Sequence, residues 1–245
     1  MTVKTTTWVR RRARGKSERG FVTHVEGQRA LVRWLGAGKG EWVGKRSIVE
    51  GRPPRILVLE GSLDAELHST RSERDALSTW CAANYVKLAF KTVHRVEDLE
   101  IIARSIGRDA PPFLHISCHG NHDDDKRAHL FFAPQHAHKH RIYLDDDETA
   151  RAFRVFEGAS LFLSACEVGK YGAQVSRFKR AAKLRHVAAF SREVYDHEML
   201  VFDLALYHSS LNLGLTFPKA VERASKAVAV LGVKGNQGKE LVRVF

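Results

Sequence analysis

Two short segments of the chain run apolar and then end on a reactive side chain. The first is Phe113-Leu-His-Ile-Ser-Cys-His-Gly120, which reaches His119. The second is Leu161-Phe-Leu-Ser-Ala-Cys166, followed by Glu167-Val-Gly169. A free thiol with a pKa near ~8.5 is mostly protonated at neutral pH, and an adjacent imidazole that takes its proton turns it into a nucleophile. Cys166 with His119 is therefore a candidate pair for cysteine-dependent hydrolysis. Gly120 adds to it, because a residue without Cβ lets its amide approach a substrate closely. Together with the amide of Cys166 it would form an oxyanion hole. This chemistry requires the two segments to be neighbouring strands of a parallel sheet, whose carboxyl ends collect functional groups.

The remaining candidates read differently. Cys118 points opposite to His119 by strand alternation, and Cys81 lies beside Trp80 in a helical pattern, so both are expected in the core. His115 shares the alternation face of His119 but sits deeper in the strand, which predicts a supporting or core role. His122 with Asp123–Asp125, and the alternating His136, His138 and His140, match no zinc-ligand pattern; a solvated loop without metal is expected. Asp145, Asp146 and Asp147 precede a helical pattern and predict an N-cap. Gly36-Ala-Gly-Lys-Gly40 lacks the spacing of a phosphate loop and reads as hairpin punctuation.

The elements that must position these residues change character near residue 53. From Trp8 to Val49 short alternating bursts, such as Phe21–Val25 and Ala30–Trp34, are separated by Gly20, Gly27, Gly36, Gly38, Gly40 and Gly44. Period two with glycine turns predicts a small all-β barrel or antiparallel meander over residues 1–52, with Trp34 in its core. Pro53 and Pro54 break that pattern. Beyond them, strand patterns at 55–60, 87–93, 113–118, 161–165 and 186–190 alternate with helical patterns at 72–85, 96–106, 148–156, 172–183, 197–211 and 217–228. Residues 229–233 and 241–245 are predicted as closing strands. Such alternation predicts an α/β domain over 53–245 with a mostly parallel sheet flanked by helices.

Composition excludes several classes. The chain is 44% hydrophobic and 28% charged, enough apolar material for a packed core. No apolar run approaches the ~18 residues of a membrane span. The basic start MTVKTTTWVRRRARGK has no apolar segment behind it and is not read as a secretory signal. Three widely spaced cysteines predict no disulfide framework, which fits a reducing cytoplasm. The net charge of +12 is concentrated in residues 1–54, where 13 basic and 4 acidic side chains leave +9. Basic modules favour phosphate-bearing or acidic partners, so nucleic acid is a candidate partner of residues 1–52. Aromatics among cations suit that role or the binding of a peptide.

The two motifs, His115-Ile-Ser-Cys-His119-Gly120 and Ser164-Ala-Cys166-Glu-Val-Gly169, resemble those of the caspase-like cysteine peptidases. The likeness is to their CHAT branch, which is related to separase. His119 and Cys166 are 47 residues apart, close to the ~50 of the caspase pair. His186–Phe190 with Val194-Tyr-Asp196, and Leu206-Tyr207 through Ala220–Ala224, continue the resemblance. Residues 1–52 resemble Tudor- or chromo-like barrels in outline. The resemblance implies a caspase-like fold with Cys166 and His119 catalytic, Gly120 and Cys166 supplying the oxyanion hole, and no cofactor. It implies regulated limited proteolysis of a protein substrate, in a setting such as prokaryotic defence or cell death, with an activating partner or signal. It further places an acid of the turn, Asp196 or Glu193, in a specificity pocket for a basic substrate residue; a solvated turn acid is the other reading. The alternative to a peptidase is an inactive caspase-like binding protein whose basic module holds nucleic acid or a partner protein.

Overall fold

The computed structural model describes residues 3–11, 18–61, 73–106, 113–132, 141–230 and 241–245. Near the amino terminus five strands form: β1 (Trp8–Arg11), β2 (Arg19–Glu26), β3 (Arg29–Trp34), β4 (Gly40–Gly44) and β5 (Ile48–Glu50). All neighbours pair antiparallel, in the order β4-β3-β2-β1-β5. Alternation puts Val9, Val22, Ala30, Val32, Trp34, Val43 and Ile48 on one face, where they form a small buried cluster. The Trp34 ring N–H is satisfied by Glu41 at 2.8 Å. A 3-10 turn, Lys45–Ser47, joins β4 to β5. These two strands are the edges of the hydrogen-bonded order, so among the described residues the unit is a five-stranded antiparallel sheet whose edges are joined by three residues.

Trp8 turns to the other face of this sheet. It is buried with Ile56, Val58, Leu77, Cys81, Tyr207 and Leu211, and its ring N–H donates to the Tyr85 carbonyl at 3.1 Å. Backbone contacts add to the seat. The Gly38 N–H donates to the Gly214 carbonyl at 2.8 Å, and Arg33 donates to the Asn212 carbonyl at 3.1 Å. Gly214 has a positive φ of +65° and lies so near the Trp34 carbonyl that a Cβ would stand 2.4 Å away. The small sheet is thus apolar on both faces, one forming its own core and the other covering the rest of the molecule.

The chain then passes through Gly51–Pro54 into a larger assembly. Its elements are β6 (Arg55–Glu60), α1 (Glu73–Ala83), β7 (Lys87–Thr92), α2 (Val96–Ile106), β8 (Phe113–Ser117), β9 (His119–His122), β10 (Ala128–Phe131) and β11 (Arg141–Tyr143). There follow α3 (Asp147–Phe153), β12 (Ser160–Ser164), α4 (Gly172–Ala181), β13 (His186–Phe190), α5 (Asp196–Tyr207), α6 (Phe217–Ala229) and β14 (Val242–Val244). Six strands form a mixed sheet in the order β14-β13-β12-β8-β6-β7, parallel except for β14. Helices cover both faces, which is why β12 is buried at every position. Leu57, Leu114, Ile116, Leu161 and Leu163 meet α2, α3 and α4 on one side. On the other, Phe162, Ala188 and Phe190 meet α5 and α6, while Ile56 and Val58 meet α1.

Four expectations change. The polar stretch after His119 is not a solvated loop: β9, β10 and β11 make a separate antiparallel sheet whose Ala128, Leu130 and Ile142 join the core. The β9–β10 turn closes where the Lys126 N–H donates to the Asp123 carbonyl and the Arg127 N–H to the Asp123 carboxylate, at 2.9 and 2.8 Å. Asp146 is the N-cap of α3 but makes no side-chain cap; it and Asp145 bind the Arg127 guanidinium instead. The helix expected over 197–211 ends at Tyr207 and continues as a π turn, His208–Asn212. Ala229 ends α6 rather than beginning a strand, and residues 231–233 lie outside the described residues, as do His136, His138 and His140. Among the described residues no helix is long and apolar enough to cross a membrane.

Trp8 supplies the largest apolar surface at the seat of the small sheet. Trp8→Ala is expected to cost about 3–5 kcal/mol, read as a lowered midpoint in urea denaturation followed by circular dichroism.

Candidate active site

Strands β8 and β12 are adjacent and parallel, with Phe113 opposite Ser160 and Ser117 opposite Ser164. Their carboxyl ends are therefore level. His119 follows Ser117 by two residues, and Cys166 follows Ser164 by two. The spatial condition set by the sequence is met: the two segments are neighbours. Of the three cysteines only Cys166 is not buried. Cys81 is buried in the core, and burial alone pushes its thiol up to about 12. Cys118 packs beneath β8 as its alternation predicted.

The local conformation of each segment has an evident cause. After Cys118 the chain leaves the main sheet and enters β9, where His119 pairs with Phe131 and Gly120 with Leu130. Gly120 there crosses the cysteine segment so closely that a Cβ would stand 2.4 Å from the Cys166 carbonyl oxygen and 2.9 Å from the Ala165 Cβ. Any larger residue would push the His-Gly pair away from the thiol. On the cysteine side the chain turns sharply. The Cys166 carbonyl accepts the Val168 N–H at 2.8 Å, and the Glu167 N–H donates to the Arg192 carbonyl at 3.1 Å. Glu167 adopts a left-handed φ of 60°. Gly169 lies against β13, where a Cβ would stand 2.5 Å from the Ala189 carbonyl oxygen. The two glycines of the motifs are thus required by close backbone approach.

The turn after β13 passes beside the thiol, with the Cys166 Sγ 3.7 Å from the Val194 carbonyl oxygen. Glu193 and Asp196 belong to this turn, and both are exposed. Asp196 is the first residue of α5. The buried acid of the turn is Glu198, which sequence reading passed over. Arg192 grips it with two hydrogen bonds, at 2.8 and 3.1 Å, and the Tyr195 N–H adds a third at 3.1 Å. Tyr195 is not an N-cap residue type, so the sequence offered no capping-box signal for Glu198. His122 was likewise passed over as loop. Its Nδ1 lies 3.9 Å from Glu167, and its ring lies against Tyr171 at 5.2 Å.

Beneath the strand ends lies a buried polar group. The His115 ring contacts the Tyr207 hydroxyl through Nδ1 at 2.8 Å and the Glu73 carboxylate through Nε2 at 2.9 Å. Burial, with Asp203 and Glu73 nearby, raises Tyr207 well above an ordinary phenol, so its O–H donates and His115 Nδ1 accepts. The Nε2–H is then free to donate to Glu73. Ser117 and Ser164 also donate to that carboxylate, the latter at 3.3 Å. Among the described residues Glu73, His115 and Asp203 are the one set whose ligand atoms, all within 4.8 Å, could hold a metal ion. Both imidazole nitrogens already serve hydrogen bonds, which accounts for the ring without a metal.

A helix-flanked mixed sheet with cysteine and histidine beyond the ends of adjacent parallel strands defines an α/β protein of caspase-like layout. The chain belongs to the CHAT domain family, whose model matches residues 27–229. That family is related to the caspase-like proteases, and the match begins in the β2–β3 turn, so it includes three strands of the small sheet. No curated protein sequence matches the chain.

Burial pushes the Glu198 carboxyl up, but Arg192 and the Tyr195 N–H outweigh it and hold the group below the ordinary 4.5. A depressed folded-state pKa stabilises above the unfolded value and is lost as pH falls through the folded one. Glu198→Gln is therefore expected to lower thermal stability at pH 6–7. The gap from the parent should narrow below about pH 4.5, as thermal melts across pH 3–7 would show.

Proposed function

We propose that the chain is a cysteine endopeptidase in which Cys166 is the nucleophile and His119 the proton acceptor. The observation that carries this reading is the contact between Gly120 and the Cys166 backbone, at the level ends of β8 and β12. It holds a His-Gly pair against the one cysteine that is not buried. His119 takes the thiol proton as sulfur attacks the peptide carbonyl. The amides of Gly120 and Cys166 receive the developing oxyanion. Protonated His119 then gives its proton to the departing amine, leaving a thioester on Cys166. Water, deprotonated by His119, hydrolyses the thioester and restores the thiol.

The exposed carboxylates of Glu193 and Asp196, on the turn that skirts the thiol, favour a substrate with Arg or Lys before the scissile bond. Arg192 is paired with Glu198. Family membership supports limited proteolysis of a protein substrate under control of a partner or signal, in defence or cell death. An electrophilic peptide ending in Arg or Lys is expected to alkylate Cys166 faster than one ending in Asp, as peptide mass mapping would report. Cys166→Ala should remove peptide cleavage, and His119→Ala should lower it by about a hundredfold or more, with both variants melting like the parent. Undiminished turnover in Cys166→Ala overturns the reading.

One observation favours a nucleic-acid partner for residues 1–52. Arg10 on β1 and Arg19 on β2 stand directly opposite each other in the antiparallel register. They line a depression of about 360 Å³ together with Arg52, Gly51 and Glu50. Like charges opposite each other across strands are destabilising, and a phosphate between them relieves the cost. A labelled oligonucleotide is expected to bind with an affinity that falls steeply with salt. The doubly substituted Arg10→Gln, Arg19→Gln protein should bind more weakly and with a shallower salt slope. Equal binding by parent and variant counts against this site.

A further inference from the structure

We propose that Glu73 is a positioning residue for the Cys166–His119 pair, an inference that rests on the peptidase reading. Glu73 opens α1, far from both residues in sequence, yet its carboxylate is buried against the ends of the two strands that carry them. It accepts hydrogen bonds from Ser117 on β8 and from Ser164 on β12. Each serine lies two residues before a member of the pair. Two residues of strand span only about 7 Å. One carboxylate therefore ties together the last residue of each strand, directly below the site.

The carboxylate is itself held. His115, on β8, donates to it at 2.9 Å and accepts from Tyr207 of α5 at 2.8 Å. Asp203 lies one turn earlier on α5, with its carboxylate within 4.8 Å of the Glu73 and His115 ligand atoms. Ser117, Ser164 and His115 all meet the Glu73 carboxylate. Burying a carboxylate in that way is costly unless its lone pairs are used. Here three donors from two strands use them. A tie of this kind adds nothing that a hydrophobic core would not supply better, except a fixed separation of the two strand ends. A displacement of about 1 Å between reacting groups can cost a hundredfold in rate.

Glu73→Ala leaves three donors without an acceptor where the strands end, with only the backbone ladder to hold them. Glu73→Gln keeps the shape and one acceptor oxygen, and the serine hydroxyls can rotate to meet the new amide. In the full chain, kcat on a peptide substrate is expected to fall about tenfold to a hundredfold in Glu73→Ala with KM nearly unchanged, and to recover in large part in Glu73→Gln. A second readout is the pH profile of Cys166 alkylation by iodoacetamide, resolved by peptide mass from Cys81 and Cys118. In Glu73→Ala its rising limb should move toward the free-thiol range near ~8.5, as it should in His119→Ala. If Glu73→Ala does not fold, Glu73→Gln and the paired Ser117→Ala, Ser164→Ala protein carry the test, each expected to show the same shift in smaller degree. Profiles that superimpose on the parent, while that of His119→Ala moves, overturn the positioning role alone. A His119→Ala profile that also superimposes overturns the peptidase reading beneath it.

Discussion

The in-register parallel pairing of β8 with β12 is the constraint on which the rest of the site depends. Five successive residue pairs, from Phe113 with Ser160 to Ser117 with Ser164, set the two carboxyl ends level. Because side chains alternate with period two, a slip of one residue would turn His119 or Cys166 to the wrong face and put Leu114 or Leu163 among polar partners. The core on both sides of the sheet enforces that register. Leu114, Ile116, Leu161 and Leu163 are packed on one face, and Phe162 on the other. The levelling of the two strand ends is in this sense a by-product of packing within the sheet.

The two ends then diverge for different reasons. Beyond Cys118 the chain enters the β9–β10–β11 sheet, which contributes Leu130 and Ile142 to the core and is anchored by Arg127 on Asp145 and Asp146. Beyond Ala165 the chain turns through Glu167 in a left-handed conformation and is pinned to β13 through Gly169. Gly120 lies where these paths cross. Its missing Cβ is a packing requirement, since the Cys166 carbonyl occupies the space a side chain would need.

The basic amino-terminal sheet is bound to this arrangement by an apolar contact. Trp8 enters the same cluster as Tyr207, and Tyr207 reaches His115. The sheet that carries most of the positive charge and the network below the strand ends therefore share one wall of the core. On the face of β1 and β2 that carries Trp8 and Phe21, the next pair along, Arg10 and Arg19, is exposed to solvent.

Much of this was legible in the sequence. Apolar runs of five or six residues alternating with helical periods announced the α/β layout, and the helix at 96–106 and the strands at 55–60 and 186–190 agree with the structure residue for residue. Cys166, His119 and Gly120 were legible as candidates because strand ends that finish on reactive residues are local patterns. The short strands β9, β10 and β11 were not, since three or four residues rich in His and Asp carry no periodicity that distinguishes them from a loop. Glu73 and Glu198 were not legible either. A glutamate at the start of a helix is ordinary surface chemistry in sequence terms, and only the packing of α1 and α5 against the sheet buries those two and brings donors to them. The sequence alone determined which residues could react and which segments pair with period two. The tertiary structure decided which of them meet, because burial and hydrogen-bond partners are set by residues tens of positions away.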